Sequence, residues 1–477
     1  MKILMTASEA RPLCKTGGLA DVIYSLSKEL VKEKHEVSII LPFYQQIKDQ
    51  FHLELTQIDS VVVKMSWRRE IANIYKTNIE GINYYLIEDR HYFERDRLYG
   101  ENDDNERFAF LCLAIKEFLI KQKMEFDIIH VNDWHTAMIP CLFKEDEQNY
   151  QLINRPKFVL SIHNPAFQGM MDKYCLGDYY NLPDYLYENG QVRFKNTFST
   201  LKAGIVYADK IIVVSPSHRQ ELLTSEGGMG LEDVLKYRSN DFYGILNGID
   251  YEEWNPSKDK SIPYNFNGVT YFKNKKLNKI ELLKRFNLED NGRPVFAMVS
   301  RITWQKGMEL VFPCCYLLAS KGCNIIILGS GEYAYEQEME NLRRTFPNNV
   351  GIYVGYNDEL AHLIYAGSDI FLMPSLFEPC GLGQMIAERY ATLPLVRRTG
   401  GLKDSVICFD GLNPLKANGF GFDAYNVEAI NNTALWAIEN WDNIPLRKLL
   451  MKNAYMTDNS WKKSAKEYIK IYQDLII

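Results

Sequence analysis

The sequence predicts two α/β domains in tandem, each with a parallel sheet covered by helices. Short apolar runs alternate with amphipathic helical patterns along most of the chain. A strand at 2–7, a glycine-bearing loop, an amphipathic helix and a strand at 36–41 form a βαβ unit, the building block of parallel sheets. A second series of such units follows the polar stretch 255–267. This order is typical of doubly wound folds, whose ligands bind at the carboxyl ends of the strands.

Each predicted strand is a short apolar run bounded by polar or turn residues. In the first half these runs lie at 2–7, 36–41, 127–131, 158–162 and 210–214. In the second half they lie at 295–299, 324–328, 351–354 and 370–373. Aromatic and aliphatic residues at helical spacing predict a terminal helix that docks on an apolar surface. We expect domains at 1–247 and 248–455, with the helical segment 456–477 packing back on the first domain.

Composition excludes several classes of protein. The chain has 477 residues, with 55 basic and 61 acidic side chains, so its net charge of −6 disfavours a nucleic-acid-binding protein. Nine cysteines without a C-x-x-C pair predict reduced thiols and a cytoplasmic protein. No apolar stretch approaches the ~18 residues of a membrane span, and the first apolar run is too short for a signal peptide. We expect a soluble protein that binds neither nucleic acid nor membrane.

The motif Lys15-Thr16-Gly17-Gly18 lies where a strand passes into a helix. Unpaired backbone N–H groups and the positive end of the helix dipole favour an anion there, and Lys15 adds a full charge. Phosphate or diphosphate is the natural ligand. The motif is not a P-loop, because the G-x-x-x-x-G-K-[ST] spacing is missing. The alternative is a Gly-Gly turn that only lets the helix pack.

Arg301 and Lys306 lie on one loop after a predicted strand. Two fixed cations at the carboxyl end of a strand could neutralise the charge that develops on a departing diphosphate. The alternative is that both side chains are simply solvated.

The segment Gly329-x-Gly331-x-x-Ala334 nominally matches the dinucleotide-binding fingerprint, since it follows a strand and precedes a helix. The next strand should then end in Asp or Glu, but it ends in Gly355-Tyr356. Hydride transfer to a nicotinamide cofactor is therefore a minor alternative. Tyr356 could instead stack on a nucleobase.

Three further groups of polar residues follow predicted strands. They are His163-Asn164, Asp133-Trp134-His135 and the acid Glu378 of Glu378-Pro379-Cys380-Gly381-Leu382. No H-E-x-x-H and no Asp-x-Asp pair occurs, so we expect no bound metal. Glu378 could have no role beyond a favourable interaction with the dipole of the helix that follows it. Cys380 could be a nucleophile at a helix start, but no His or Asn signature accompanies it.

Together these segments resemble the bacterial glycogen synthase and plant starch synthase family of retaining glucosyltransferases. The resemblance runs through nearly the whole chain and implies the GT-B fold, two Rossmann-like domains with a deep interdomain cleft that holds the active site. The motifs that carry it are Lys15-Thr16-Gly17-Gly18-Leu19-Ala20-Asp21-Val22, His163-Asn164-Pro165-Ala166-Phe167-Gln168-Gly169, Leu246-Asn247-Gly248-Ile249-Asp250, Trp254-Asn255-Pro256, Ser300-Arg301, Gln305-Lys306-Gly307, Phe377-Glu378-Pro379-Cys380-Gly381-Leu382 and Arg397-Arg398-Thr399-Gly400-Gly401-Leu402.

The resemblance also implies roles. Lys15 and its glycines look like the phosphate loop, while Arg301 and Lys306 are similar to the pair that holds the diphosphate leaving group. Glu378 resembles the acid that stabilises positive charge on the transferred glucose, and His163 the histidine on the opposite side of that sugar. Other positions expected to contact the sugar nucleotide are Gly17, Gly18, Asp21, Asp133, Asn164, Asn247, the base-stacking Tyr356, Cys380, Gly381, Leu382, Thr399 and Gly400.

The resemblance implies transfer of glucose from ADP-glucose to glycogen or a malto-oligosaccharide, with retention and without metal or other cofactor. Three positions depart from the family pattern: Asn132 replaces a common histidine, Gly383 a usual threonine, and Pro313 is expected to interrupt the helix after Lys306. One alternative is another retaining GT-B enzyme, sucrose synthase-like or glycan-building. The other is a glucan-binding scaffold with a dead site, which the presence of all five charged or imidazole groups above disfavours. The choice between ADP-glucose and UDP-glucose and the oligomeric state are not fixed by the sequence.

Overall fold

The chain divides into two compact units. The computed structural model describes residues 1–50 and 55–476. The N-terminal unit comprises Met1–Val214, Arg219–Ile245 and Ser464–Ile477, and the C-terminal unit comprises Ser215–His218 and Leu246–Lys463. No helix of the described ranges is both long enough and apolar enough to cross a membrane.

The strands are short, as the apolar runs predicted. In chain order they are β1 (Lys2–Thr6), β2 (Glu36–Pro42), β3 (Thr56–Met65), β4 (Arg68–Ile79), β5 (Ile82–Glu88), β6 (Ile128–Asn132), β7 (Lys157–Ile162), β8 (Met170–Met171), β9 (Arg193–Phe194), β10 (Thr197–Ser199), β11 (Lys210–Val213), β12 (Phe242–Gly244), β13 (Val295–Val299), β14 (Asn324–Gly329), β15 (Val350–Val354), β16 (Ile370–Met373), β17 (Leu393–Arg397) and β18 (Phe420–Phe422).

Helices fill most of the intervals between strands. They are α1 (Gly18–Lys32), α2 (Gln45–Gln50), α3 (Arg90–Phe93), α4 (Asp104–Gln122), α5 (Asp133–Thr136), α6 (Ile139–Lys144), α7 (Glu147–Leu152), α8 (Cys175–Tyr180), α9 (Tyr185–Glu188), α10 (Thr200–Tyr207), α11 (Pro216–Leu222), α12 (Glu232–Tyr237), α13 (Tyr271–Arg285), α14 (Met308–Ser320), α15 (Tyr333–Thr345), α16 (Asp358–Gly367), α17 (Gly383–Arg389), α18 (Gly400–Ser405), α19 (Val427–Glu439), α20 (Ile444–Met456) and α21 (Trp461–Ile476). Two short 3₁₀ helices lie at Ser239–Asp241 and Trp304–Lys306.

The main sheet of the N-terminal unit has nine strands in the order β12-β11-β7-β6-β1-β2-β5-β4-β3. The strands from β12 to β5 pair in parallel, while β4 runs antiparallel to both β5 and β3. The sequence predicted β1, β2, β6, β7 and β11 of this parallel part but not β5 or β12. The β3–β4 hairpin was not predicted, because a strand with one solvated face does not form a continuous apolar run. Strand β3 alternates instead, with Val61 and Val63 buried and Val62 exposed, the pattern of a strand with one solvated face. A small sheet, β8-β10-β9, accompanies the large one.

The sheet of the C-terminal unit has six parallel strands in the order β15-β14-β13-β16-β17-β18. Its four predicted strands are present, and β17 and β18 are additional. The strands β13, β14 and β16 are buried along nearly their whole length because helices cover both faces. The polar stretch 255–267 lies between β12 and α13 and contains neither helix nor strand.

The last helix, α21, turns an aromatic face into the N-terminal unit. Tyr468 and Tyr472 are fully buried. The Tyr472 hydroxyl lies 2.6 Å from Nδ1 of His130 on β6, whose Nε2 lies 2.7 Å from the Ser161 hydroxyl on β7. Burial lowers the pKa of His130 to about 3, so its ring is neutral at pH 7. The helical spacing of apolar residues in this segment therefore reflects burial.

The expectation for Pro313 was wrong, because α14 runs from Met308 to Ser320 without interruption. Proline removes one backbone N–H, and the carbonyl that loses its partner is that of Glu309, four residues earlier. Both residues lie on the exposed side of the helix, where water can satisfy that carbonyl. The buried side chains Val311, Cys314 and Leu318 hold the helix against the sheet.

Candidate active site

In the N-terminal unit, three neighbouring strands carry predicted site residues at their carboxyl ends. β1 lies beside β6, and β6 beside β7, all in parallel. Lys15 follows β1, Asp133 follows β6, and His163 and Asn164 follow β7. These loops therefore meet at one edge of the sheet, where doubly wound folds bind their ligands.

The loop after β1 is held by hydrogen bonds to a buried acid, Glu9. Its Oε2 accepts hydrogen bonds from the Thr16 backbone N–H at 2.5 Å and the Thr16 hydroxyl at 2.7 Å. Burial raises the pKa of Glu9, and hydrogen bonds from the loop oppose that rise. Gly17 caps α1 and Gly18 begins it, so the N-terminus of a 15-residue helix faces the loop. The Lys15 Nζ lies 2.7 Å from the carboxylate of Asp21, in the first turn of α1.

Asp133 is a strained and buried residue at the end of β6. Its φ of 54° lies in the left-handed region, which is uncommon for a residue with a Cβ. One carboxylate oxygen accepts the His163 backbone N–H at 2.7 Å and the Asn164 N–H at 3.4 Å. Burial raises the pKa of Asp133 to about 7, although these two hydrogen bonds lower it. Asp133 thus fixes the backbone of the loop that carries His163.

The His163 ring is half-buried and held by one side chain, Asn132. Its Nε2 lies 2.9 Å from the Asn132 Oδ1. Burial lowers the pKa of His163 to about 4, so its ring is neutral at pH 7. The Asn164 side chain turns back and accepts the Ala166 N–H at 3.1 Å.

In the C-terminal unit, the predicted site residues follow β13, β15, β16 and β17. Because β13 lies beside β16 and β16 beside β17, the loops with Lys306, Glu378 and Gly400 are neighbours. The loops after β13 and β16 approach closely at Gly307, which has a φ of 74° and whose added Cβ would lie 2.2 Å from the Pro374 carbonyl oxygen. Only glycine fits this contact. The Leu376 N–H also donates to the Gln305 carbonyl at 2.9 Å.

This close approach places Lys306 against Glu378. The Lys306 Nζ lies 2.6 Å from Oε2 of Glu378, and their side chains are 15% and 8% exposed. The Ser375 hydroxyl donates to the same oxygen at 2.9 Å. Arg397, at the end of β17, donates to the Leu376 carbonyl at 2.6 Å and so supports the loop. The acid is therefore buried, paired with a cation and oriented, which exceeds what a helix-dipole partner requires.

Arg301 lies on the same loop as Lys306 but is exposed. Within residues 1–50 and 55–476, no carboxylate pairs with its guanidinium. The loop thus presents one cation bound to an acid and one that is available to an anion.

The glycines at the start of α18 allow the loops after β16 and β17 to touch. An added Cβ would lie 2.1 Å from the Glu378 carbonyl oxygen at Gly400 and 2.1 Å from the Cys380 carbonyl oxygen at Gly401. The Gly401 N–H donates to the Glu378 carbonyl at 3.1 Å. Thr399 occupies the N-cap position of α18, and Leu382 occupies that of α17.

Cys380 is buried, and burial raises the pKa of its thiol to about 12, so it is not an activated nucleophile. The Asn247 backbone N–H contacts this thiol. Within the described chain, the buried Asn247 Oδ1 has no hydrogen-bond partner. Gly381 has a φ of 73°, and its carbonyl accepts the Gln384 amide at 3.0 Å. An added Cβ at Gly383 would lie 3.1 Å from Phe371, so this position faces the sheet.

Tyr356 lies apart from these loops, after the edge strand β15, and its side chain is 79% exposed. Its hydroxyl donates to Asp358 at 2.9 Å.

The two glycines of the segment that resembles a dinucleotide-binding fingerprint, Gly329 and Gly331, have a packing role. An added Cβ at Gly329 would lie 1.9 Å from the Ser300 carbonyl oxygen, and one at Gly331 would lie 2.1 Å from the Ile302 carbonyl oxygen. The Gly331 N–H donates to Glu336 at 2.7 Å, so it is not free for a pyrophosphate.

Sequence reasoning missed three residues that hold the candidate site together: Glu9, Asn132 and Ser375. Asn132 was noted only as a departure from the family pattern. Glu9 and Ser375 had a usable signal, because each is a polar residue two or three positions after a buried strand. Such positions lie at the ligand-binding edge of a parallel sheet.

We expect Ser375→Ala to lower kcat about tenfold, because a hydrogen bond to a charged group is lost from the Glu378 carboxylate. Initial rates with saturating donor and acceptor would measure the change. Ser320→Ala is the matched control, since its hydroxyl also donates a hydrogen bond, at 2.7 Å to the Leu317 carbonyl, but at the far end of α14. Equal rates in the two variants would contradict the orienting role of Ser375.

Comparisons with known proteins cover the whole chain. Residues 2–237 match the starch synthase catalytic domain model, and residues 279–457 match the model of glycosyl transferases group 1. A glycogen synthase of Clostridium kluyveri is 43% identical over 477 residues, which is 100% of both chains. A glycogen synthase of Anoxybacillus flavithermus is 40% identical over 100% of this chain and 98% of the relative.

Solved structures agree. The catalytic domain of starch synthase IV from Arabidopsis thaliana, bound to ADP and acarbose, superimposes with a TM-score of 0.90 at 32% identity, covering 100% of this chain and 99% of that one. Sucrose-phosphate synthase from Thermosynechococcus elongatus has a TM-score of 0.61 at 15% identity over 99% and 98% of the two chains, which shows the fold alone. The GT-B fold predicted from the sequence is thereby confirmed. The chain belongs to the glycogen and starch synthase family of glycosyltransferases.

Proposed function

We propose that this glycosyltransferase transfers glucose from ADP-glucose to the non-reducing end of an α-1,4-glucan, with retention of configuration. The observation that carries the proposal is the Lys306–Glu378 ion pair, 2.6 Å long, on a loop that also carries the exposed Arg301. An ionised acid can stabilise an oxocarbenium-like sugar, and fixed cations can neutralise the diphosphate that leaves it. The bound ADP and acarbose of the starch synthase IV structure support a nucleoside diphosphate and a saccharide as ligands.

The spacing of the loops in the C-terminal unit suits a sugar nucleotide. Tyr356 follows β15 and Glu378 follows β16, and two strands, β14 and β13, lie between them. Three inter-strand steps of about 4.8 Å separate these strands by about 14 Å. In this proposal Tyr356 stacks on the adenine, Arg301 and Lys306 bind the diphosphate, and Glu378 faces the glucose. We expect the donor to be contacted from the loops beside Glu378 by Cys380, Gly381, Leu382, Thr399 and Gly400. Asn247 offers its Oδ1, which has no hydrogen-bond partner among the described residues.

For the N-terminal unit, we assign the donor phosphates to Lys15, Gly17 and Gly18, with Asp21 orienting the Lys15 ammonium. His163 and Asn164, on the loop fixed by Asp133, would contact the glucose. The acceptor hydroxyl attacks the anomeric carbon from the face that the diphosphate leaves. The C–O bond to the acceptor forms as the bond to phosphate breaks, and the acceptor proton passes to the leaving phosphate. No second carboxylate is required, in contrast to glycosidases.

Initial rates with ADP-glucose and UDP-glucose, each with glycogen and with maltoheptaose, test the proposal. We expect glucose incorporation to be fastest with ADP-glucose and the new linkage to be cleaved by an α-1,4-specific amylase. Transfer to fructose or another small acceptor in place of glucan would favour the other retaining enzymes. Glucan binding with no turnover of any donor would favour the inactive scaffold.

The nine free cysteines agree with a reducing compartment, and we propose that the enzyme works in the cytoplasm.

We expect activity to survive exhaustive dialysis against EDTA. Lys306 and Arg301 can neutralise the leaving diphosphate, and within the described ranges no cluster of three His, Cys, Asp or Glu side chains could hold a metal ion. Rates before and after dialysis, with and without added Mg²⁺ or Mn²⁺, provide the measurement. A loss of activity that either ion restores would count against this role for the two cations.

A further inference from the structure

The Asn132 side chain has an orientation that its own hydrogen bonds determine. Its Nδ2 lies 3.2 Å from the Thr6 carbonyl oxygen and 3.2 Å from the His130 carbonyl oxygen. Carbonyl oxygens can only accept hydrogen bonds, so the amide NH₂ must face them. Asn132 ends β6, which pairs with β1, and it is only 1% exposed, so no water competes for these positions. The Oδ1 of Asn132 therefore points away from the two strands.

That oxygen faces the Nε2 of His163 at 2.9 Å. An amide oxygen has no proton to give, so the hydrogen bond requires a proton on Nε2. Burial lowers the pKa of His163 to about 4, so at pH 7 the ring carries one proton only. The proton that Asn132 demands on Nε2 leaves Nδ1 with a free lone pair.

The other charged or titratable groups near His163 do not reverse this choice. The Asp133 carboxylate accepts the His163 backbone N–H at 2.7 Å, so its hydrogen bond is to the main chain. His130, on β6, has both ring nitrogens occupied by the hydroxyls of Tyr472 and Ser161. Within residues 1–50 and 55–476, Nδ1 of His163 has no hydrogen-bond partner. It is the one polar atom of the ring that is available to a ligand.

We propose that Asn132 is a positioning residue that locks His163 in the Nε2–H tautomer and so presents Nδ1 as a hydrogen-bond acceptor. The ligand group at Nδ1 is then a hydroxyl, which can donate, and not a phosphate oxygen, which at pH 7 can only accept. This last step rests on the proposed function, in which His163 contacts the transferred glucose. A histidine at position 132 could donate or accept, whereas the oriented amide enforces one tautomer.

The tautomer can be read directly in the full-length protein labelled with ¹⁵N-histidine. Long-range ¹H–¹⁵N correlation spectra at pH 7 distinguish a protonated from an unprotonated ring nitrogen, and His163→Gln identifies the His163 signals. We expect protonated Nε2 and unprotonated Nδ1 in the wild type. Asn132→Ala should show a mixture of both tautomers, and Asn132→Asp should shift the His163 pKa upward because a carboxylate favours the imidazolium. If Asn132→Ala does not fold, the near-isosteric Asn132→Asp still shows whether the His163 pKa depends on the side chain at position 132.

Thr200→Val is the matched control, because the Thr200 hydroxyl also donates to a main-chain carbonyl, that of Trp134 at 2.9 Å, but bonds to neither Asn132 nor His163. We expect it to keep the wild-type tautomer. A protonated Nδ1 in the wild type, or an unchanged tautomer and pKa in both Asn132 variants, would overturn the proposal. These spectra are recorded without substrate, so they test the His163 tautomer whatever donor the enzyme uses.

Titration with ADP-glucose tests the ligand step separately. We expect the Nδ1 resonance to move towards that of a hydrogen-bonded nitrogen, and Asn132→Ala to raise the KM for ADP-glucose about tenfold with a smaller change in kcat. An unmoved Nδ1 resonance at saturation would overturn the acceptor role while leaving the tautomer assignment in place. Absence of ADP-glucose binding with the expected tautomer present would instead mark a failure of the proposed function.

Discussion

Lys306→Ala should lower kcat about 10²–10³-fold while the protein stays folded, which is the usual loss when one electrostatic group of such a site is removed. Lys306 stands 2.6 Å from Glu378 and so holds the acid in place. In the proposed reaction it also neutralises the leaving diphosphate. Steady-state rates with ADP-glucose and glycogen, together with a circular dichroism spectrum, would measure both parts of the prediction. Arg301→Ala should show a comparable loss, because in the proposed reaction the exposed guanidinium binds the same diphosphate.

Two further variants separate the roles of Lys306. Lys306→Gln can still donate a hydrogen bond to Glu378 but has no charge, so a loss equal to that of alanine assigns the effect to charge. Lys321→Ala, at the solvent-exposed end of α14, is the matched control and should keep full activity. Because Lys306 and Glu378 act as one unit, the double variant Lys306→Ala/Glu378→Gln should lose much less than the product of the two single losses. Near-normal turnover in Lys306→Ala would remove the diphosphate role.

Most parallel strands were predictable because burial on both faces produces continuous apolar runs, as at β13 and β16. The strands that were missed have different physical origins. β3 is an antiparallel strand with one exposed face, and its alternating pattern requires a search at a period of two residues. β18 has only three residues, too few for any period to emerge. α14 was expected to break at Pro313, but packing of its apolar side outweighs the loss of one hydrogen bond on the exposed side.

The candidate site was predictable where a charge or a glycine occurs at a strand end, as with Lys306, Glu378 and Gly400. What the sequence could not show is which partners meet across loops that are far apart in the chain. Glu378 follows Lys306 by 72 positions, and the close approach of Gly307 to Pro374, together with the Leu376–Gln305 hydrogen bond, brings the two together. Asn132 is a clearer case, because its amide matters through an orientation that two carbonyl oxygens impose.

The second large effect concerns stability, through a buried charge pair in the C-terminal unit. Oδ2 of Asp259 lies 2.7 Å from Nδ1 of His362 on α16 and accepts the Tyr390 hydroxyl at 2.5 Å. The side chains of Asp259 and His362 are 3% and 7% exposed, and Trp254 stacks on the imidazole at 4.1 Å. The pair therefore fixes the polar stretch 255–267 to the packed helices.

The pKa shifts of both partners set the pH range in which the pair stabilises the fold. For Asp259 burial raises the pKa, but hydrogen bonds from His362 and Tyr390 outweigh it and hold the pKa below 3.8. For His362 burial lowers the pKa, but the hydrogen bond and charge of Asp259 outweigh it and hold the pKa above 6.5. The Asp259 contribution is lost as pH falls through its lowered value. The His362 contribution is complete below 6.5 and is lost as pH rises through its raised value.

Asp259→Asn should therefore reduce the free energy of unfolding by about 3–5 kcal/mol at pH 6, because it leaves a buried imidazolium without its counter-charge. The loss should be smaller at pH 9, because the contribution of the His362 charge falls as pH rises through its raised pKa. Urea unfolding at the two pH values measures both quantities. Arg343→Gln, which removes the exposed pair with Glu340, is the control and should cost no more than about 1 kcal/mol at either pH. An Asp259→Asn loss that is the same at pH 6 and pH 9 would show that the charge of His362 does not contribute, and that Asp259 stabilises the fold only through its neutral hydrogen bonds.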